Sequence, residues 1–378
     1  MEYNTVIKND QDLDIQRKSS KIILAKKDSL VPRSPKKKRI GNRKLVEMLL
    51  KEKGPVVDIR ASGPFDFLPN YKNPCWREVN GSSVITRCLP YFFSIGCSKC
   101  GTTYLWNLLS KHPEIADTLK ETGHYINGRR LMGEPLGFYL DWFMSGVEDI
   151  VATKDANGYH STIMGDGNPA MMYNNLRWKL DPANDPASLE PRYTNADTIF
   201  DLNPKAKIIA ILRDPVTRLI SEYTYFEKDQ NKSAALFHDR VVRKTQEFRE
   251  CTKDHTARYC AYKPEEGQEE MCGRIHIGLY AVHLKEFYRV FPQEQVLVLS
   301  MESCSRDYAP CLQRAFNFLD LGPVNNNTIR QYIETTTKVN KGKTSVSVWN
   351  STKQLLKDFY KPYNEELRMI LGSEFHYN

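Results

Sequence analysis

The apolar positions of this 378-residue chain gather in three short unbroken runs, over residues 89–95, 207–212 and 295–300. Runs of this kind predict strands buried on both faces. Each is followed by a polar loop and then by apolar residues at helical spacing, over 102–111, 215–226 and 308–319. That order predicts an α/β fold, a parallel sheet flanked by helices. Further helices are predicted over 275–291 and 352–371. Phe65-Asp66-Phe67-Leu68-Pro69 and Asn73-Pro74-Cys75-Trp76 read as the loop-rich start of the domain, and the polar, cysteine-bearing stretch 227–272 as an insertion. There is no internal repeat, and no apolar run approaches the ~20 residues that span a bilayer.

Charge divides the chain in two. The 54 Lys/Arg and 46 Asp/Glu give a net +8, but residues 1–53 hold 15 of the former and 7 of the latter. The remaining 39 of each sign leave residues 54–378 neutral, so any attraction for anions there must come from local sites. Residues 1–53, polar and poor in aromatics, are expected to form a flexible basic arm. Its cluster Pro35-Lys36-Lys37-Lys38-Arg39 reads equally as a nuclear-import patch or a solvated linker. No aromatic residues interleave with it, so no nucleic-acid partner is expected.

The strongest chemical signal follows the first strand: Gly96-Cys97-Ser98-Lys99-Cys100-Gly101-Thr102-Thr103. Unpaired N–H groups at a helix start favour an anion. Gly96 and Gly101 permit close approach, Lys99 adds a full charge, and a phosphate is the expected guest. The loop is not a Walker A motif, because Lys99 does not directly precede the hydroxyl residue that would hold Mg²⁺. Its Lys-x-Gly-Thr-Thr order resembles the 5′-phosphosulfate loop of sulfotransferases, which use 3′-phosphoadenosine 5′-phosphosulfate (PAPS). Arg213, ending the second strand, and Ser221, two helical turns on, have the spacing with which that family holds the 3′-phosphate. An Arg there presents a planar fork to phosphate oxygens. A surface ion pair of Arg213 with Asp214 or Glu222 is the competing reading.

Asn73-Pro74-Cys75-Trp76, Cys88-Leu89-Pro90-Tyr91-Phe92, Phe316-Asn317-Phe318-Leu319-Asp320-Leu321-Gly322-Pro323 and Asp358-Phe359-Tyr360-Lys361-Pro362-Tyr363-Asn364 extend the resemblance to Golgi carbohydrate sulfotransferases. It covers roughly residues 64–371. It implies a P-loop-like single sulfotransferase domain over 54–378, with PAPS as co-substrate and no metal required. Within the family the likeness is greatest to enzymes that sulfate O-6 of N-acetylgalactosamine 4-sulfate in chondroitin or dermatan sulfate. The family carries its base in a Lys-Glu pair after the phosphate-loop helix, which assigns Glu121 as general base, Lys99 as stabiliser of the leaving phosphate and Lys120 as its assistant. His112 and His124 are competing bases. Asp166 and Asn168, in Gly165-Asp166-Gly167-Asn168-Pro169, are candidates to contact the acceptor, a plain turn being the alternative. Lys341 and Lys343 resemble a late loop that closes over the nucleotide. A sulfated glycosaminoglycan acceptor would favour basic residues in the cleft, for which Arg129, Arg130 and Arg177 are available.

The nine cysteines fit no paired zinc pattern. Pairing is plausible for Cys75 with Cys88 and among Cys251, Cys260, Cys272, Cys304 and Cys311, while Cys97 and Cys100 are read as part of the phosphate loop and not as a redox pair. Sequons stand at Asn80, Asn231, Asn326 and Asn350. Golgi relatives carry an N-terminal membrane anchor that this chain does not show, so it reads as a piece of a longer product. The Golgi lumen is therefore an expectation from resemblance, with a soluble or nuclear location left open. The alternatives are a sulfotransferase acting on another glycan or small molecule, a P-loop phosphotransferase, and an inactive glycan-binding relative.

Overall fold

The chain opens as a hairpin before it builds a sheet. The computed structural model describes residues 56–121, 124–227, 232–263, 273–337 and 346–377. Strands β1 (Cys75–Asn80) and β2 (Ser83–Cys88) pair antiparallel, and a Cys75–Cys88 disulfide joins their far ends. The main sheet is parallel and holds β3 (Phe92–Gly96), β4 (Gly165–Gly167), β5 (Lys207–Leu212) and β6 (Val296–Ser300) in the order β4-β3-β5-β6. Almost every residue of these strands is buried, as two covered faces require. The chain leaves β3 toward β4 on one side, then crosses to β5 on the other. The carboxyl ends of β3 and β5 therefore form a topological switch point, where such sheets bind ligands.

The helices are α1 (Thr102–Leu109), α2 (Leu136–Asp141), α3 (Met144–Ala152), α4 (Asn195–Leu202), α5 (Pro215–Phe226), α6 (Ala234–Asp254), α7 (Ala257–Tyr262), α8 (Tyr280–Val290), α9 (Met301–Arg306), α10 (Tyr308–Phe318), α11 (Asn326–Thr335) and α12 (Asn350–Leu371). One core surrounds the sheet and a second lies among α5, α6 and α12. Among the described residues, no helix is long and apolar enough to cross a membrane.

The second strand and its helix fall where the sequence places them. The first strand starts three residues late. Pro90 has no N–H to give, and the Leu89 N–H donates instead to the Pro74 carbonyl at 2.9 Å. The predicted helix 275–291 is two pieces, a 3₁₀ turn over Ile275–Gly278 and then α8, parted at Leu279 (φ −83°, ψ 58°). Tyr360 of α12 donates to the Ile275 carbonyl at 2.9 Å, which fastens that turn to α12. The stretch read as a polar insertion contains two helices, α6 and α7, bridged by a Cys251–Cys260 disulfide. Its polarity conceals a narrow buried stripe of Phe237, Val241 and Phe248, the last packed edge-on against Phe359. Cys304 pairs with Cys311. The cluster 35–39, Asn231, Cys272, Lys341 and Lys343 lie outside the described residues.

Candidate active site

The site is assembled where β3, β4 and β5 end. Beyond Gly96 the loop returns to the sheet through the Cys97 N–H, which donates to Ile211 at 2.9 Å. Gly101 begins α1 with φ +83°, a left-handed conformation that glycine adopts without penalty, and no side chain caps the helix there. The first-turn N–H groups of α1, with Thr102 and Thr103, thus face the loop as an anion seat. Cys97 and Cys100, read from sequence as part of the loop and not as a redox pair, are joined by a disulfide inside it.

Arg213 closes the loop from β5. Its Nη1 reaches the Lys99 carbonyl at 3.4 Å and its Nε donates to Thr217 at 3.0 Å. The competing surface pair with Asp214 or Glu222 does not form: Glu222 is fully buried with Arg218 and Arg274. Ser221 lies half-buried on α5, two turns beyond Arg213. Behind the loop, Tyr280 donates to the Arg213 carbonyl at 2.8 Å and touches the Cys97 sulfur at 3.5 Å. Its ring meets Tyr377 edge-on, 6.5 Å between centroids.

The Lys120–Glu121 pair arrives along β4. The Ala116 N–H donates to Ile163 at 2.8 Å, the Thr118 hydroxyl to Gly165 at 3.0 Å and the Glu121 N–H to Gly167 at 2.7 Å. This ladder sets Glu121 at the carboxyl end of the sheet beside the phosphate loop. Lys120, largely covered, pairs with the half-exposed Glu121 carboxylate. Among the described residues four non-glycines have positive φ, and Lys99, Glu121 and His124 are three of them. Such conformations cost energy and gather at functional sites.

Burial pulls the Lys99 ammonium down to about 8, with Arg213 adding to the shift while Glu222 and Glu121 oppose it. Burial likewise lowers His124, against the pull of Glu121. Asn168 donates to His124 Nδ1 at 2.9 Å, so the neutral ring carries its proton on Nε2. His112 is occupied elsewhere: Nε2 donates to the Gly322 carbonyl at 3.0 Å and Nδ1 accepts from the Glu114 N–H.

Three residues that the sequence offered to the acceptor are buried. Asp166 is 1% exposed and accepts from Tyr139 at 2.8 Å. Asn168, equally buried, holds His124 and Asn127, so its contact is with the site's own frame. Arg130 is not a cleft cation but is buried against Asp181 and Thr198.

A family model for the sulfotransferase domain matches residues 90–361. The chain belongs to the sulfotransferase family. Human carbohydrate sulfotransferase 15 is 29% identical over 372 residues, covering 82% of this chain and 65% of that protein. Mouse heparan sulfate glucosamine 3-O-sulfotransferase 3A1 is 24% identical over 317 residues, covering 76% and 64%. The chain therefore spans about two thirds of the length of these relatives. A solved sulfotransferase from Alicyclobacillus acidocaldarius aligns at TM-score 0.46 and 20% identity, over 75% of this chain and 96% of that one.

Two residues of this sulfotransferase site escaped the sequence reading. Tyr280 belongs to a helix to which the sequence assigned no part in the site. Tyr225, whose ring lies 3.4 Å from the Lys99 ammonium, stands four residues after Ser221. That interval puts both on one helix face and is the signal that could have found it.

Proposed function

We propose that this sulfotransferase transfers a sulfuryl group from PAPS to a glycosaminoglycan hydroxyl, specifically O-6 of N-acetylgalactosamine 4-sulfate in chondroitin or dermatan sulfate. Residues 54–378 form the single catalytic domain and residues 1–53 a basic arm. The observation that carries the reading is the closure of Arg213 over the Lys99 carbonyl, with the Glu121 backbone tied to the same sheet edge. The residues fit a nucleotide phosphorylated at two ends. The loop 96–103, ending in the uncapped start of α1, would take the 5′ side, and Arg213 with Ser221 the 3′-phosphate. The bound nucleotide supplies an activated sulfuryl group.

Glu121 takes the acceptor's proton as its oxygen forms the new bond to sulfur, and the old bond leaves its electron pair on the departing phosphate. Lys99 and the α1 N–H groups stabilise that charge. Lys120 holds the Glu121 carboxylate in place. Arg129, paired with Glu134 at 3.1 Å, and the exposed Arg177 are available to a polyanionic acceptor. Both relatives are named for carbohydrate sulfation, which supports the acceptor class. The Cys75–Cys88, Cys251–Cys260 and Cys304–Cys311 disulfides support an oxidising compartment, the Golgi lumen by resemblance.

The test is transfer of label from ³⁵S-PAPS by the full chain to chondroitin 4-sulfate, dermatan sulfate, heparan sulfate and a phenol. Disaccharide analysis should place the label on O-6 of 4-sulfated N-acetylgalactosamine. Transfer to the phenol alone would overturn the carbohydrate reading.

A further inference from the structure

Lys99 is the full positive charge of the phosphate loop, yet among the described residues no carboxylate forms an ion pair with it. Its ammonium rests on an aromatic face instead, 3.4 Å from the centroid of the Tyr225 ring and 5.9 Å from that of Phe226. Tyr225 lies at the end of α5, half exposed. Phe226 braces it edge-on at 4.9 Å and 87°, and the Arg274 guanidinium lies 5.3 Å over Phe226. Two cations thus sit on one braced aromatic pair.

We propose that Tyr225 is the positioning residue for Lys99, its ring seating the ammonium beside the phosphate loop and keeping it charged. The inference rests on the proposed function and goes beyond it. A buried ammonium loses hydration, which favours the neutral form. The negative face of an aromatic ring returns part of that stabilisation. A carboxylate would do so more strongly, but it would repel the departing phosphate and compete with it for the lysine. The ring carries no net charge and releases the ammonium when the leaving oxygen gains its electron pair. The charged groups facing Lys99 are Glu222 from α5, Arg213 from the end of β5 and Glu121 from the loop segment beside β4. None of these is altered by changing Tyr225.

The test needs no turnover. In the full chain with ¹³C-labelled lysine, the Lys99 Cε signal, assigned by its loss in Lys99→Gln, is titrated in the absence of nucleotide. The midpoint should fall near 8 in the parent protein. Tyr225→Leu, which keeps bulk against water but removes the ring face, should lower it by about one pH unit. Tyr225→Phe should leave it unchanged, which also separates the ring from the hydroxyl. The alkaline limb of kcat/KM for PAPS should move with the midpoint in each variant. An unchanged or raised midpoint in Tyr225→Leu overturns the positioning role even if the enzyme is active. Failure of the parent protein to bind adenosine 3′,5′-bisphosphate would instead overturn the reading of the site on which the inference rests.

Discussion

Glu121 is held by its backbone and left open at its side chain. The N–H is fixed to Gly167 while the carboxylate, paired with Lys120, is 47% exposed. A general base needs such access to a proton that arrives with the acceptor. Glu121→Gln keeps the shape and removes the basicity, so single-turnover transfer should fall about 10²–10⁴-fold. Binding of adenosine 3′,5′-bisphosphate, followed by calorimetry, should stay close to that of the parent; an active Gln variant would remove Glu121 as base. The placement of Glu121 at this sheet edge was legible because it lies in order along the chain, in a Lys-Glu pair after the helix that follows the first strand. Arg130 shows where such reading ends. Its type suggested a cleft cation, but only the fold reveals that it points into Asp181. Tyr225 failed for the opposite reason, since its interval from Ser221 takes on meaning only once a lysine is found above its ring.

Among the elements, β5 was legible to the residue because its apolar run is bounded by polar residues at both ends. The strand of the main sheet that could not be read is β4. Gly165-Asp166-Gly167 has the composition of a turn, and it becomes an edge strand only because β3 offers it a partner. Its glycines answer to neighbouring rings: a Cβ on Gly167 would lie 2.6 Å from the Trp106 ring of α1. Gly167→Ala should therefore destabilise the protein by about 1–3 kcal/mol through overpacking, measurable by urea denaturation. Because the Gly167 carbonyl holds Glu121, kcat should fall in the same variant with little change in nucleotide affinity. Unaltered stability would show that Trp106 can yield. The helix pair α6–α7 was missed because a narrow buried stripe on a long polar helix is outweighed by the charges around it.

At the scale of the whole molecule, the neutral body concentrates its buried charge in a few ties between distant segments. Arg130 is the clearest: 2% exposed, it joins the turn at 129–132 to Asp181 and to Thr198 of α4, and Val57 lies within its reach. Removing one partner of such a pair strands the other in a low-dielectric interior. Arg130→Met should cost about 3–5 kcal/mol, and Arg130→Met combined with Asp181→Leu should recover much of it. Thermal denaturation of both variants decides the matter, and equal melting of the single variant and the parent would deny the tie any weight.

The edge-on meeting of Tyr377 with Tyr280 bears on how the protein can be handled. Tyr280 braces both the Arg213 carbonyl and the Cys97 sulfur, and the buried Tyr377 is the ring behind it. Tyr377 is thus a wedge behind Arg213: a cut or substitution that removes that ring would act on the proposed recognition of PAPS from the rear.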